Sequence, residues 1–81
     1  YDFQAKPNGL LESDPHPPGT VEHLYMIKGE VEITVGDEVK IAKTGEAIRY
    51  RGDVPHKIRN IGESDAQANM VLMLRQLNPA T

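Results

Sequence analysis

The sequence predicts an all-β fold, a small barrel or sandwich built from short strands. Turn-forming clusters recur at roughly eight- to twelve-residue intervals; they include Lys6-Pro7-Asn8-Gly9, Lys28-Gly29, Gly36-Asp37, Lys43-Thr44-Gly45 and Gly62-Glu63-Ser64-Asp65. Between them, apolar and polar residues alternate with the period of two that a strand imposes. No internal repeat, heptad or low-complexity tract interrupts this pattern.

Residues 1–5 alternate aromatic and polar side chains and read as a first short strand. Leu10 and Leu11 open a second, which Ser13-Asp14-Pro15 ends. The following His16-Pro17-Pro18-Gly19-Thr20 is a stiff loop, because the two prolines lack amide donors and hold their neighbours extended. In residues 21–27, Glu22, Leu24 and Met26 share one face, and Val21, His23, Tyr25 and Ile27 the other. Both faces are largely apolar, so cover is expected on both sides.

Val31, Ile33 and Val35 then alternate with Glu30, Glu32 and Thr34, the pattern of a half-buried strand. Gly36-Asp37 is a tight hairpin turn. On its far side Val39 and Ile41 are expected to face inward, with Glu38 and Lys40 in water. Residues 47–51 place Ile48 and Tyr50 on one face and Arg49 and Arg51 on the other. The bend through Gly52-Asp53-Val54-Pro55 delivers His56, which shares a face with Ile58 and Asn60 opposite Lys57 and Arg59. Residues 66–74 are rich in good helix formers, but the two-sided apolar run and the strand context favour a last strand. Met26, Met70 and Met73 are expected in the core, where methionine fills irregular gaps.

Composition excludes several classes. The 81 residues make a single domain, 1–81, with a net charge of −3 and acids and bases interspersed. A chain of this size buries only about 60% of its unfolded surface, so a metal or a partner subunit is a natural source of added stability. There are no cysteines, which excludes disulfides and thiolate metal sites and suits a reducing compartment. No basic face for nucleic acid is visible, and no apolar run approaches the roughly 18 residues of a membrane span. Nucleotide-binding, nucleophile-elbow and zinc-finger patterns are absent.

Chemistry concentrates in two stretches. His16 lies in the stiff loop, Glu22 follows where an apolar strand begins, and His56 returns after a similar turn. Two imidazoles and a carboxylate near strand starts can form an N/O metal site with open positions. The alternative is a metal-free pocket in which the same groups hydrogen-bond, although a buried glutamate beside two imidazoles is costly without a cation or proton. His23 points to the opposite face from Glu22 and is excluded as a ligand. Tyr25 and Tyr50 are candidates to line the pocket, and Arg49 and Arg51 to bind an anionic ligand or simply to solubilise a strand edge. Asn60 reads as structural, its amide bridging backbone.

These spacings resemble the two motifs of the cupins, small jelly-roll barrels. The first asks for two histidines one residue apart, then glutamate, then glycine; His16, Glu22 and Gly29 match, and Pro18 stands where the second histidine is expected. The second begins with glycine and ends His-x-x-x-Asn; Gly45, His56 and Asn60 match, while Arg51 and Asp53 replace the usual proline and glycine. The resemblance covers residues 13–74. It implies a jelly-roll (double-stranded β-helix), with His16, Glu22 and His56 as a three-ligand site for Zn, Ni, Fe or Mn and Gly29, Gly45 and Asn60 as structural positions; from the residues themselves, Tyr50 and Arg49 are the side chains expected to meet a ligand.

The wording Pro-Gly-Thr-x-Glu-His-Leu-Tyr-x-Ile-x-Gly-Glu-x-Glu, with Gly-Glu-Ala-Ile-Arg-Tyr and Pro-His-Lys-x-Arg-Asn, is most similar to the C-terminal cupin of bacterial helix-turn-helix regulators. That similarity implies a cytoplasmic sensor of a small-molecule effector, touching DNA only through an upstream domain. A homodimer is expected on physical grounds, because the Val21/His23/Tyr25/Ile27 face and the Met-rich last strand supply more apolar surface than one thin barrel can cover. The chain, which opens without methionine, is expected to be a piece of such a regulator. A small metal-dependent dioxygenase or isomerase is the competing reading, and a bare oligomerising barrel the third.

Overall fold

A computed structural model describes residues 2–74. Eight strands follow one another: β1 (Asp2–Ala5), β2 (Leu10–Ser13), β3 (Thr20–Lys28), β4 (Glu30–Val35), β5 (Glu38–Lys43), β6 (Ala47–Arg51), β7 (His56–Asn60) and β8 (Ala66–Leu74). They form two four-stranded antiparallel sheets, ordered β1-β8-β3-β6 and β2-β7-β4-β5. The all-β expectation holds, and the last segment is strand.

The core lies between the sheets. Leu24, Met26, Met70, Ala66, Ala68, Phe3 and Tyr50 contribute from the first sheet and Val31, Ile33, Ala42 and Ile58 from the second. Alternation sorts inward from outward residues in β7, whose His56, Ile58 and Asn60 are buried while Lys57 and Arg59 are exposed. Two tight spots need glycine. Gly29 turns the chain at φ 97°, and a Cβ there would lie 3.0 Å from the Ala66 Cα. Gly36 opens the two-residue β4–β5 turn at φ 56°, while Asp37 keeps a negative φ, as in a type II′ hairpin.

Three expectations about facing are corrected. Val39 and Ile41 do not point inward; both are more than half exposed, and it is Ala42 that is buried. The hairpin register pairs Val39 with Thr34 and Ile41 with Glu32, putting them on the outer row, while Ala42 pairs with inward Val31. β3 is covered on one side only, and Tyr25 and Ile27 of its outer face stay exposed, which removes Tyr25 as a pocket residue. Met73 pairs with outward Val21 and is exposed, not core. Leu72, beside Glu22, and Leu74, beside Thr20, share the inward side of β8 yet are substantially exposed; they form an open apolar lip at that end of the barrel.

Candidate metal centre

At the end of the barrel carrying that lip, both sheets and one loop converge on a carboxylate. Glu22 projects inward from β3 and is 1% exposed. His56, the first residue of β7, reaches it from the opposite sheet, with Nε2 2.6 Å from Glu22 Oε2. His16 arrives from the β2–β3 loop, its Nε2 3.4 Å from the same oxygen. One candidate ligand atom from each residue lies within 4.8 Å of the others. Only His16, with its side chain one-third exposed, is open to solvent.

Hydrogen bonds orient these groups. The Tyr50 hydroxyl donates to Glu22 Oε1 at 2.7 Å, a contact made possible by the β3–β6 register that sets Tyr50 beside Glu22. Glu22 Oε2 is thereby aimed at the histidines. His56 Nδ1 lies 2.8 Å from the Val54 carbonyl; a carbonyl only accepts, so Nδ1 carries the hydrogen and neutral His56 turns a lone pair toward Glu22. Two acceptors then face each other, and neither Glu22 Oε2 nor His56 Nε2 has a hydrogen-bond donor among the described residues. Such a buried pair requires a proton shared between its members or a metal cation bound by both. An imidazole whose far N–H is tied to a backbone carbonyl is the usual arrangement of a metal-bound histidine. The donor set therefore fits a divalent transition metal.

The loop bearing His16 is fastened to the turn between β6 and β7. The His16 amide donates to the Gly52 carbonyl at 2.8 Å, and the Gly52 amide to the Thr20 carbonyl at 2.9 Å. Gly52 packs so closely that a Cβ would stand 3.3 Å from Glu22 Oε2. Next to it, Asp53 accepts the Gly19 amide at 3.0 Å and two guanidinium bonds from Arg51 at 2.9 and 3.3 Å. The Arg51 bonds first, then the Gly19 amide, hold the Asp53 carboxyl down at about 2. Arg51 and Asp53, the two departures from the second motif, thus latch the ligand loop to the β6–β7 turn.

The other expected residues separate cleanly. Asn60 is fully buried; its amide donates to the carbonyls of Ala5 and Ser64 and accepts the Gly62 amide. Gly45, at φ 84°, donates its amide to the Met26 carbonyl. His23 lies half-buried on the outer face of β3, away from the cluster. Arg49 is exposed on that same outer face, opposite in direction to Tyr50, so it does not line the interior.

Residues 2–73 match the cupin domain family. The chain is a cupin. Over 63 residues, 78% of the chain, it is 35% identical to the HTH-type transcriptional regulator SutR of Escherichia coli K12, of which it spans 35%. Among solved structures, the cupin domain of an XRE family transcriptional regulator from Enterobacter cloacae superposes with a TM-score of 0.85 at 28% identity, covering 93% of this chain and 79% of that one. An HTH_3 family transcriptional regulator from Vibrio cholerae gives 0.79 at 23% identity, covering 91% and 42%, and supports the fold alone. A de novo designed double-stranded β-helix shares the same fold, with a TM-score of 0.76 at 17% identity, covering 90% and 96%. This cupin therefore has the jelly-roll architecture and relatives among bacterial transcription regulators, and no helix of its described residues is long and apolar enough to cross a membrane.

Proposed function

We propose that this cupin is the effector-sensing and dimerising domain of a cytoplasmic DNA-binding transcription regulator, with His16, Glu22 and His56 holding a divalent metal. The regulator reading is carried by the 35% identity to SutR across most of the chain. The chain spans about a third of that relative, so contact with DNA is assigned to a domain outside it. The metal reading is carried by the buried, acceptor-against-acceptor pair of Glu22 and His56.

A metal bound there would supply a Lewis-acidic centre with positions open to a small polar molecule. Tyr50 fixes the Glu22 carboxylate, and Val54 fixes the His56 ring. The exposed edge of His16 marks the side of access. An effector would set its polar head on the cluster and Tyr50, and rest apolar parts on the lip of Leu72 and Leu74. Arg49 points to the outer face, where it lines a cleft with Tyr50, Arg51 and Leu74. Sensing then requires the effector to bind two arrangements of the linked regulator with different affinity.

The same two-histidine, one-carboxylate set also serves oxygen chemistry at Fe(II), which keeps the enzyme reading second. A melting screen of the purified chain against Zn, Ni, Fe(II) and Mn tests the metal reading. At about one hundred times its dissociation constant, a bound metal adds about 2.7 kcal/mol, or roughly 10–20 °C for a domain of this size. The rise is expected for at least one metal and should vanish in His16→Ala/His56→Ala. A curve that no metal moves contradicts a metal centre. Oxygen consumption by the iron-loaded chain would favour the enzyme, and a helix-turn-helix sequence encoded immediately upstream would favour the regulator.

A further inference from the structure

We infer that the outer face of the β1-β8-β3-β6 sheet is the contact surface for a second copy of this chain, packed face to face about a two-fold axis parallel to the strands, with Asp2 of one copy meeting Arg49 of the other. This rests on the dimerising part of the function proposed above and adds to it a face, an axis and a charge pair.

The outward residues at the centre of this sheet are Val21, His23 and Tyr25 on β3 and Asn69, Val71 and Met73 on β8, brought side by side by the register. None is a carboxylate, lysine or arginine. Tyr25, Val71 and Met73 are each about half exposed. The outer face of the other sheet differs: its apolar Val39 and Ile41 sit among Glu12, Glu32, Lys57 and Arg59, a mixed-charge surface suited to water. At about 4.8 Å spacing, β3 and β8 run some 30 Å and the shorter β1 and β6 about half that, which gives a footprint of roughly 430 Å² in plan. Corrugated by side chains, that approaches the roughly 600 Å² per partner at the small end of specific interfaces. The face is also grooved. Clefts of about 560 and 350 Å³ run along it, one bounded by Val21, His23 and Met73 and the other by Tyr25, Ala47 and Val71, so side chains of a facing sheet have places to enter.

Charge decides how the copies are related. The β1 edge of this face carries Asp2, and the β6 edge carries Arg49 and Arg51. Arg51 is engaged by Asp53, whereas neither Arg49 nor Asp2 has an ion-pair partner among the described residues. A two-fold axis perpendicular to the strands, in the plane between the sheets, would lay the arginine edge on the partner's arginine edge. An axis parallel to the strands lays the β6 edge over the partner's β1. Asp2 stands in the row of Asn69, Tyr25 and Ala47, and Arg49 in the next row with His23 and Val71. That offset of one row, about 7 Å along the strands, is within reach of an arginine side chain. Sheets stacked with nearly aligned strands at about 10 Å are a standard packing, and self-complementarity of this kind is what a two-fold interface demands.

Charge exchange tests this directly, with sedimentation equilibrium of the 81-residue chain and circular dichroism to show that each variant folds. Arg49→Asp and Asp2→Arg are exposed changes, and each is expected to weaken dimerisation about ten-fold or more at low salt. The double variant D2R/R49D should return to within about three-fold of the unmodified chain. Tyr25→Asp, at the centre of the face, should give a monomer. A dimer that survives Tyr25→Asp unchanged, or single charge variants whose losses add in the double, would overturn this face or this axis while leaving dimerisation standing. A chain that is monomeric at all concentrations would remove both.

Discussion

His56 Nε2 and Glu22 Oε2, buried and from opposite sheets, lie 2.6 Å apart at the open end of the barrel, with the other ring nitrogen of His56 tied to the Val54 carbonyl. A positive charge satisfies both acceptors, and the cluster can obtain it from a proton or a metal. Glu22→Gln separates the two roles. The amide can donate to His56 Nε2 and so keeps the metal-free fold within about 1 kcal/mol, but it removes the anionic ligand. Metal affinity, read by competition with a chromogenic chelator, should fall on the order of 100-fold or more, a loss at least as large as second-shell changes cause.

Tyr50 controls where that carboxylate points. Tyr50→Phe deletes the 2.7 Å bond to Glu22 Oε1 and changes little else in shape. Loss of a buried bond to an ionised group costs about 1.5–3 kcal/mol in stability, and loss of an orienting partner about 10- to 100-fold in metal affinity. Urea unfolding of the metal-free chain and chelator competition read the two effects separately. An unchanged metal affinity would show that Tyr50 is a packing residue only.

Asn60 carries the opposite expectation. Its fully buried side chain makes three bonds to the backbone at Ala5, Ser64 and Gly62, joining the first turn to the last. Asn60→Ala strands those groups and should cost about 3 kcal/mol, lowering the melting temperature by roughly 12–24 °C. The fraction that remains folded should bind metal as before.

The sequence made much of this legible, for a physical reason in each case. Period-two alternation identifies strands because successive side chains point to opposite faces, and it placed His56, Ile58 and Asn60 together correctly. The motif spacing found His16, Glu22 and His56 because loop and strand lengths bring them to one end. Facing was less secure where both rows of a strand carry apolar residues. The hairpin register, set by a two-residue turn, sent Val39 and Ile41 outward and Ala42 inward, whatever their hydropathy. The bond from Tyr50 to Glu22 spans 28 residues, and nothing local announces it. The latch of Arg51 and Asp53 left a signal in the sequence, two charged residues replacing the motif's proline and glycine, but its meaning depends on Gly19 lying opposite.

That latch has a pH dependence with a definite sign. The Asp53 carboxyl is held at about 2 against an ordinary 3.8, so folding favours its ionised form. Its contribution is complete above about pH 4 and is lost as pH falls through 2. Asp53→Asn removes the contribution at neutral pH and the corresponding acid limb. Urea midpoints between pH 5 and 2, compared for the chain and the variant, should converge toward the acid end. Parallel curves across the range would show that Asp53 does not stabilise the fold through its charge.

The metal content of the purified chain, measured by inductively coupled plasma mass spectrometry beside His56→Ala after identical reconstitution, decides whether the cluster is a metal centre. Close to one divalent transition metal per chain is expected, lost in a variant that circular dichroism shows to be folded. A folded chain that holds no metal after reconstitution, or holds as much without His56 as with it, would contradict a metal centre at His16, Glu22 and His56.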